Sequence, residues 1–318
     1  MTDILSPSRR GLLGAAGALA AGLPFGAEAQ TRFPSRELSW LIYQAPGGSL
    51  DLTARMIQPQ LVEQGVRTNL DYAIGAGGRI ARTRVARAQP DGYSIMTESS
   101  PGAVMDEVLA GADYKALDFV PIFGWSIIGW QFCTKKDSPL RTFADFVAEC
   151  RRRRVTVGTI GRAGSSHLQV EIVKKRLGIN FEVVHFEGSG RAYPAVMGGH
   201  IDVACSGPAS GVRNRENLHF LALTRPEPAL PDVPTLAQQG FPQIESADQM
   251  WYAMTTPGTP ANRVARLEEA FTKAFQNADL LERMRRAGES ITPLTSAQVR
   301  EVVAGHLRMV QENKDLMT

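Results

Sequence analysis

The sequence feature that most constrains the fold is a predicted strand that runs through a pair of glycines into a predicted helix. Residues 38–43 (LSWLIY) form an apolar run that indicates a buried strand. In residues 50–61 the apolar side chains recur at spacings of four, three and four, as one face of a helix requires. Gly47 and Gly48 allow a sharp turn that leaves backbone N–H groups uncovered, and Ser49 can cap the helix. Such a turn suits a carboxylate or phosphate, because the first amides of a helix carry partial positive charge.

Predicted strands and helices alternate along the rest of the chain, and glycine- or serine-rich turns follow several of the strands. Residues 75–78 (GAGG) and 161–167 (GRAGSSH) each open a predicted helix, while Ser99 and Ser206 stand at the ends of two further predicted strands. This alternation predicts an α/β fold with mostly parallel sheets flanked by helices. Ligands bind such sheets where the C-terminal ends of strands meet helix N-termini. We therefore expect these turns to lie at the ligand-binding end of the strands.

The first thirty residues have the pattern of an export signal. Residues 8–13 (SRRGLL) match the twin-arginine signal, a weakly apolar run covers residues 12–23, and residues 27–29 (AEA) have the small-x-small pattern of a cleavage site. The run is too short and too rich in alanine and glycine for a comfortable membrane span, which argues against an uncleaved anchor. We expect residues 1–29 to be removed and the mature chain to be exported to a bacterial periplasm by the twin-arginine route.

The composition narrows the classes of function. A chain of 318 residues suits one large domain or two lobes, and a net charge of +3 is too small to indicate binding to nucleic acid. Three cysteines without CxxC spacing argue against a disulfide framework or a zinc site made of cysteines alone.

Motifs of cofactor-dependent and nucleophilic enzymes are missing from the sequence. Ile80 stands where the dinucleotide fingerprint needs its third glycine, no P-loop motif occurs, and residues 207–211 (GPASG) lack the spacing of a nucleophile elbow. His167 and Glu171 could share a helix face, but without a third ligand they do not indicate a metal site. We expect no cofactor and no metal. Small residues, amides and hydroxyls at strand ends can recognise an anion but offer no evident chemistry, so we predict a binding protein and not an enzyme.

Seven short motifs occur in a fixed order along the predicted mature chain. They are residues 46–51 (PGGSLD), 75–78 (GAGG), 90–93 (PDGY), 165–167 (SSH), 198–202 (GGHID), 230–235 (LPDVPT) and 257–260 (PGTP). In this order and with an export signal, the chain resembles the Bug-type periplasmic solute receptors of tripartite tricarboxylate transporters. The resemblance covers nearly the whole predicted mature chain.

This resemblance implies a two-lobe periplasmic-binding-protein fold of type II, whose lobes close by a hinge on a ligand cleft between them. The first lobe would comprise residues 30–126 and 248–318, and the second residues 127–247. Backbone amides and ordered water in the first turn, together with the serine-rich turn of the other lobe, would hold a carboxylate. The residues implied in ligand binding are Gly47, Gly48, Ser49, Ser165, Ser166 and His167. Asp51 matches the family aspartate, which either meets a polar or cationic group or braces the turn.

The chain departs from the family pattern at three places. Residues 72–74 are YAI where the family often has Asn-Arg-Pro, Glu187 stands where a lysine is common, and Ser206-Gly207 stand where many members carry Asp-Asn. A basic residue replaced by an acidic one, and an acidic one by serine, are compatible with a different ligand class.

Three functional hypotheses follow. The first is a monomeric receptor that closes on a small organic anion, a carboxylate by resemblance, and hands it to the membrane permease subunits of a transporter. The second is an exported hydrolase that uses Ser49 or Ser166 with His167, although neighbouring side chains at a helix start would diverge. The third is a sensor that presents the bound ligand to a histidine kinase.

Overall fold

The computed structural model describes residues 33–162, 164–186 and 189–317. The predicted signal peptide, residues 1–29, and Glu187 lie outside the described residues. The chain from Arg36 to Thr318 forms one compact unit.

Strands and helices of this unit lie close to the predicted ones. The strands are β1 (Leu38–Ile42), β2 (Thr68–Tyr72), β3 (Ser94–Ser100), β4 (Val120–Ile128), β5 (Gln131–Lys135), β6 (Thr156–Ile160), β7 (Glu182–Phe186), β8 (Val203–Ser206), β9 (Leu218–Leu223), β10 (Gln249–Thr255) and β11 (Leu294–Thr295). The helices are α1 (Ser49–Glu63), α2 (Arg79–Ala86), α3 (Gly102–Leu109), α4 (Phe143–Arg152), α5 (Ser165–Leu177), α6 (Ser189–Met197), α7 (Pro208–Arg213), α8 (Ala261–Ala274), α9 (Ala278–Arg286) and α10 (Ser296–Glu312). Helices α3, α7 and α9 were not predicted, and the segments that form β4, β5, β10 and β11 were not predicted as strands.

The strands form two sheets, and both sheets are mixed where mostly parallel ones were predicted. The first has the order β11-β4-β10-β3-β1-β2, and the second has the order β7-β6-β8-β5-β9. β1 is parallel to β2 and β3, and β6 is parallel to β7 and β8. These strands are joined by helices, which supply the crossover that a parallel pairing needs. Every antiparallel pairing of the described strands involves β4, β5 or β10.

Those three strands carry the chain from one sheet to the other. The chain leaves the first sheet at β4, enters the second at β5 after only Gly129 and Trp130, and returns at β10. Neither this two-residue link nor the segment before β10 contains a helix. Without a crossover helix these strands pair antiparallel, so the prediction of mostly parallel sheets was wrong for them. The link also brings the ends of both sheets close together, which places a cleft between them.

Aromatic side chains fill the core on each sheet. On the first sheet, Phe271 of α8 contacts Trp40 and Trp125, with ring centroids 5.7 and 6.4 Å apart. On the second sheet, Phe132 of β5 lies 5.2 Å from Phe143 of α4. These rings are buried, and each side chain of this size contributes about 1.5–3 kcal/mol of hydrophobic stabilisation.

The buried histidine of α10 gives the stability of the fold a pH dependence. Nδ1 of His306 lies 2.7 Å from Oγ of Ser100 at the end of β3, and burial lowers the pKa of His306 from 6.5 to about 4. In the unfolded chain His306 therefore binds a proton near pH 6.5, whereas in the folded chain it binds one only near pH 4. The free energy of unfolding consequently falls as the pH is lowered from 6.5 to about 4.

We expect His306→Gln to flatten this decline between pH 6.5 and about 4, because it removes the group that titrates differently in the two states. Urea unfolding across this range measures the effect. The exposed His200 supplies the control, and His200→Gln should keep the wild-type slope. An unchanged slope in the His306 variant would contradict the assignment.

Candidate functional site

A cleft of about 1000 Å³ lies where strands of both sheets end. It is lined by Tyr43 and Gln44 after β1, Ser99 of β3, Ile160 of β6 and Gly207 after β8. Lining residues numbered below 111 or above 248 form the first wall, and those from 160 to 213 form the second wall. The volume is at the upper end of the range for small-molecule sites.

Three of the nine residues predicted for the site line this cleft: Ser49, Ser99 and Ser165. The other six do not form part of its lining, and they are Gly47, Gly48, Asp51, Ser166, His167 and Ser206. Two of these six, Asp51 and Ser166, hydrogen-bond the backbone next to the lining. Ser49 is the first residue of α1 and Ser165 the first of α5, so two helix N-termini reach the cleft from opposite walls.

Asp51 braces the first turn from inside. One of its carboxylate oxygens accepts the N–H of Gly47 at 2.8 Å, and the other accepts the Tyr72 hydroxyl at 2.5 Å. Arg55 donates to both oxygens, at 2.9 and 3.1 Å. Burial alone would raise the pKa of Asp51, but these donors hold it below its ordinary value. Asp51 is 1% exposed, and its hydrogen bonds brace the turn.

Ser49 is not the cap of α1, which corrects the sequence analysis. Gly48 holds the N-cap position and has no side chain to offer. Gln44, which follows β1, caps the helix instead, because its Oε1 accepts the N–H of Leu50 at 3.1 Å. A Cβ on Gly48 would lie 3.0 Å from both this oxygen and the carbonyl oxygen of Ala45. The sequence held no signal for this, because glutamine is not a usual cap.

Ser166 braces the turn of the second wall, as Asp51 braces that of the first. Its Oγ accepts the N–H of Ile160 at 2.9 Å and donates to the carbonyl oxygen of the same residue at 3.1 Å. The neighbouring Ser165 faces the cleft instead. His167 packs beside His185, with ring centroids 4.5 Å apart, and its Nε2 lies 3.7 Å from a carboxylate oxygen of Glu171.

Ser206 lies below the cleft surface. It is fully buried, and its hydroxyl donates to the hydroxyl of Tyr193. Gly207, the next residue, reaches the lining. The end of β8 therefore contributes backbone to the cleft and not the predicted hydroxyl.

A buried ion cluster, formed by Arg82, Glu98 and Asp106, supports the first wall. Arg82 donates from Nε and Nη2 to the two oxygens of Glu98, at 2.7 and 3.0 Å, and from Nη1 to Oδ2 of Asp106 at 2.7 Å. Burial raises the pKa of Glu98, and the guanidinium opposes that rise without cancelling it. Sequence reasoning missed this cluster, because α2, β3 and α3 bring the three residues together only in the tertiary structure.

The two walls differ in charge. The second wall carries Arg162 and Arg213, and its described lining residues include no acidic side chain. The first wall carries Glu289, whose pKa burial raises to about 7, while the Thr53 hydroxyl and the charge of Arg213 oppose the rise. Beside it, the Ser290 hydroxyl donates to Glu227, which lies outside the lining of the cleft, at 3.0 Å.

Three aromatic side chains line the cleft: Tyr43 and Trp251 of the first wall, and Trp130. The indole N–H of Trp130 donates to the carbonyl oxygen of Ala247 at 2.7 Å. The indole nitrogen of Trp251 is buried without a hydrogen-bond partner among the described residues.

The described residues contain no group of three or more His, Cys, Asp or Glu that could hold a metal ion. Cys133, Cys150 and Cys205 are free thiols, and two of them are fully buried. No helix in the described ranges combines the length and the apolar character that a membrane crossing needs.

We expect Gly102→Ala to disrupt the ion cluster. A Cβ there would collide with Nη2 of Arg82 and lie 2.7 Å from a Glu98 oxygen. Overpacking of this kind lowers the free energy of unfolding by about 1–3 kcal/mol, which denaturant unfolding measures. In the matched control Gly305→Ala, the new methyl would meet only the end of Arg308 at 3.9 Å, so this change inside α10 should be neutral or stabilising. Equal stability of the two variants would contradict the close packing at Gly102.

Comparison with known proteins gives one consistent result. Residues 53–312 match the model of the tripartite tricarboxylate transporter family receptor. The "UPF0065 protein in the TAR-I ttuE-ttuC' intergenic region" of Agrobacterium vitis is 30% identical over 276 residues, which cover 84% of this chain and 79% of that protein. Protein BugT of Bordetella pertussis is 27% identical over 287 residues, which cover 87% of each chain.

Solved structures have the same fold. A TctC solute-binding protein from Polaromonas superposes with a TM-score of 0.79 at 22% identity, over 89% of this chain and 99% of that one. A protein of Rhodopseudomonas palustris solved with adipate superposes with a TM-score of 0.74 at 21% identity, over 90% of this chain and 98% of that one. The two-lobe α/β fold of a periplasmic binding protein, predicted from the resemblance, is therefore confirmed.

Proposed function

This chain belongs to the tripartite tricarboxylate transporter receptor family, and we propose that it captures a small carboxylate in the periplasm and delivers it to the membrane permease subunits of such a transporter. The observation that carries the proposal is the meeting of two helix N-termini at the cleft. Ser49 opens α1 on the first wall, and Ser165 opens α5 on the second. Helix N-termini attract anions, because their first N–H groups are unpaired and the helix dipole is positive there.

The ligand class is supported by a relative of the same fold. The Rhodopseudomonas palustris protein was solved with adipate, a dicarboxylate. In our proposal the carboxylate lies between the Ser49 and Ser165 hydroxyls, with Gly47, Gly48 and Asp51 shaping one turn and Ser166 and His167 the other. Ser99 completes the site from the end of β3, and Ser206 supports it from below.

Hinge closure is the proposed mechanism of capture. We propose that residues 30–126 and 248–318 form one lobe and residues 127–247 the other, with the hinge at the two crossings between the sheets. The first crossing consists of Gly129 and Trp130 alone, and a hydrogen bond from Trp130 to Ala247 ties it to the second crossing just before β10. Paired connections let two rigid bodies rotate and close on a ligand. Export by the twin-arginine route and a monomeric state belong to the same proposal.

The hydrogen bonds of the serine side chains favour binding over hydrolysis. A nucleophilic serine needs a base within hydrogen-bond reach. The Ser166 hydroxyl instead donates to the carbonyl oxygen of Ile160, and Ser49 Oγ lies 3.4 Å from an amide oxygen of Gln44.

Native mass spectrometry of the mature protein as purified, followed by a thermal-shift screen of carboxylates on stripped protein, tests the proposal. A carboxylate present at 100 times its Kd should add about 2.7 kcal/mol to the free energy of unfolding. Recovery of an unaltered carboxylate at one per chain is the expected result. Turnover of the bound molecule, or a panel of mono-, di- and tricarboxylates that leaves Tm unmoved, would overturn the proposal.

Two neighbouring serines offer a matched pair of variants. Ser165→Ala should weaken carboxylate binding about tenfold or more, because hydrogen bonds to charged groups are worth about 1.5–3 kcal/mol, while Tm of the empty protein stays unchanged. Ser166→Ala should lower Tm of the empty protein instead, since its buried hydroxyl bonds only to the chain. Wild-type affinity in the Ser165 variant would remove Ser165 from the site.

A further inference from the structure

Helix α3, which the sequence analysis did not predict, forms much of the first wall. Gly102, Met105, Asp106 and Leu109 all line the cleft, at the spacing of one helix face. Asp106 is therefore a charged residue set between two apolar side chains of the cleft surface.

The cation nearest to Asp106 is not available to a ligand. The Arg82 side chain is 2% exposed, and its donors are engaged by both oxygens of Glu98, by Asp106 and, at 3.2 Å, by the carbonyl oxygen of Gly77. One guanidinium thus faces two carboxyl groups, and it presents no cation to the cleft. A carboxylate placed against this part of the wall would be repelled.

One carboxylate oxygen of Asp106 remains available for a hydrogen bond to a ligand. Its Oδ2 accepts both Arg82 at 2.7 Å and the Tyr114 hydroxyl at 2.6 Å. Its Oδ1 receives no hydrogen bond from the described residues, and the side chain is 15% exposed at the cleft surface. An ionised carboxylate oxygen offers only acceptor sites, so its complement is a hydrogen-bond donor, best a cationic one.

The second wall favours negatively charged groups. Arg162 and Arg213 lie there together with the N-terminus of α5, so the negative end of a ligand is favoured on that side. Met105 and Leu109 lie on either side of Asp106 and suit an apolar chain between the two ends.

From this arrangement we infer that the ligand is an amino carboxylate, with its ammonium group bound by Asp106 and its carboxylate held between Ser49 and Ser165. The inference rests on the proposed function of the same cleft and narrows its ligand class. It makes Asp106 the residue that distinguishes an amino acid from a dicarboxylate of the same length.

Calorimetry on the stripped mature protein with paired probes tests this inference. The pairs are adipate with 6-aminohexanoate, succinate with 4-aminobutanoate, and glutarate with L-glutamate, and both members of each pair have the same number of carbons. In the first two pairs an aminomethyl group replaces one carboxylate, and in the third an ammonium group is added to the dicarboxylate. At least one amino member should bind ten times more tightly than its partner. If dicarboxylates bind and every amino member binds more weakly than its partner, the inference is overturned while the proposed function stands. If none of the probes or of the wider carboxylate panel binds, the proposed function fails as well.

The variant Asp106→Asn tests whether Asp106 binds the ammonium group. It should lower affinity for the preferred amino carboxylate at least tenfold and leave the paired dicarboxylate as tightly bound as before or tighter. Tyr114→Phe is the matched control, because it removes another partner of the same carboxylate and keeps the charge, so the preference should persist. Thermal unfolding of the empty variants shows that both are folded. A folded Asp106→Asn variant that keeps the wild-type preference would remove Asp106 from the recognition of the ligand.

Discussion

The structure of the cleft depends on buried side chains that hydrogen-bond the backbone of its turns. The side of each turn that faces the cleft therefore stays open to a ligand. Asp51 holds the N–H of Gly47, and Ser166 holds both peptide groups of Ile160. Unsatisfied backbone groups are costly to bury, so each brace stabilises a turn that the chain would otherwise adopt only weakly. The bracing side chains are consequently buried, while Ser49 and Ser165 beside them are the ones that reach the cleft.

The ion cluster shows how a buried charge, here that of Arg82, can shape a binding surface. Burying Arg82 is costly unless its donors are met, and two carboxyl groups meet them. This solution places the Asp106 carboxylate at the surface of one wall, while Arg162 and Arg213 lie on the other. The need to pair the buried Arg82 therefore also gives the two walls of the cleft different charges. A ligand that carries both a positive and a negative charge would match them.

Much of the fold could be predicted from the sequence because it is encoded locally. An apolar run identified β1, and the spacing of the apolar residues in 50–61 identified the buried face of α1. The order of the short motifs also identified the family. These signals need only residues close in sequence, whose geometry follows from helix and strand periodicity.

Other features were decided by the tertiary structure. The antiparallel insertion of β10 between β3 and β4 joins segments more than a hundred residues apart, and no local pattern specifies it. Likewise the sequence determined that serines would lie at strand ends, but not which of two neighbours, Ser165 or Ser166, would face the cleft. That choice depends on the direction in which the packed helix points each side chain. Arg82, Glu98 and Asp106 were visible in the sequence only as separate charges, and they became one cluster because burial forces each of them to find a partner.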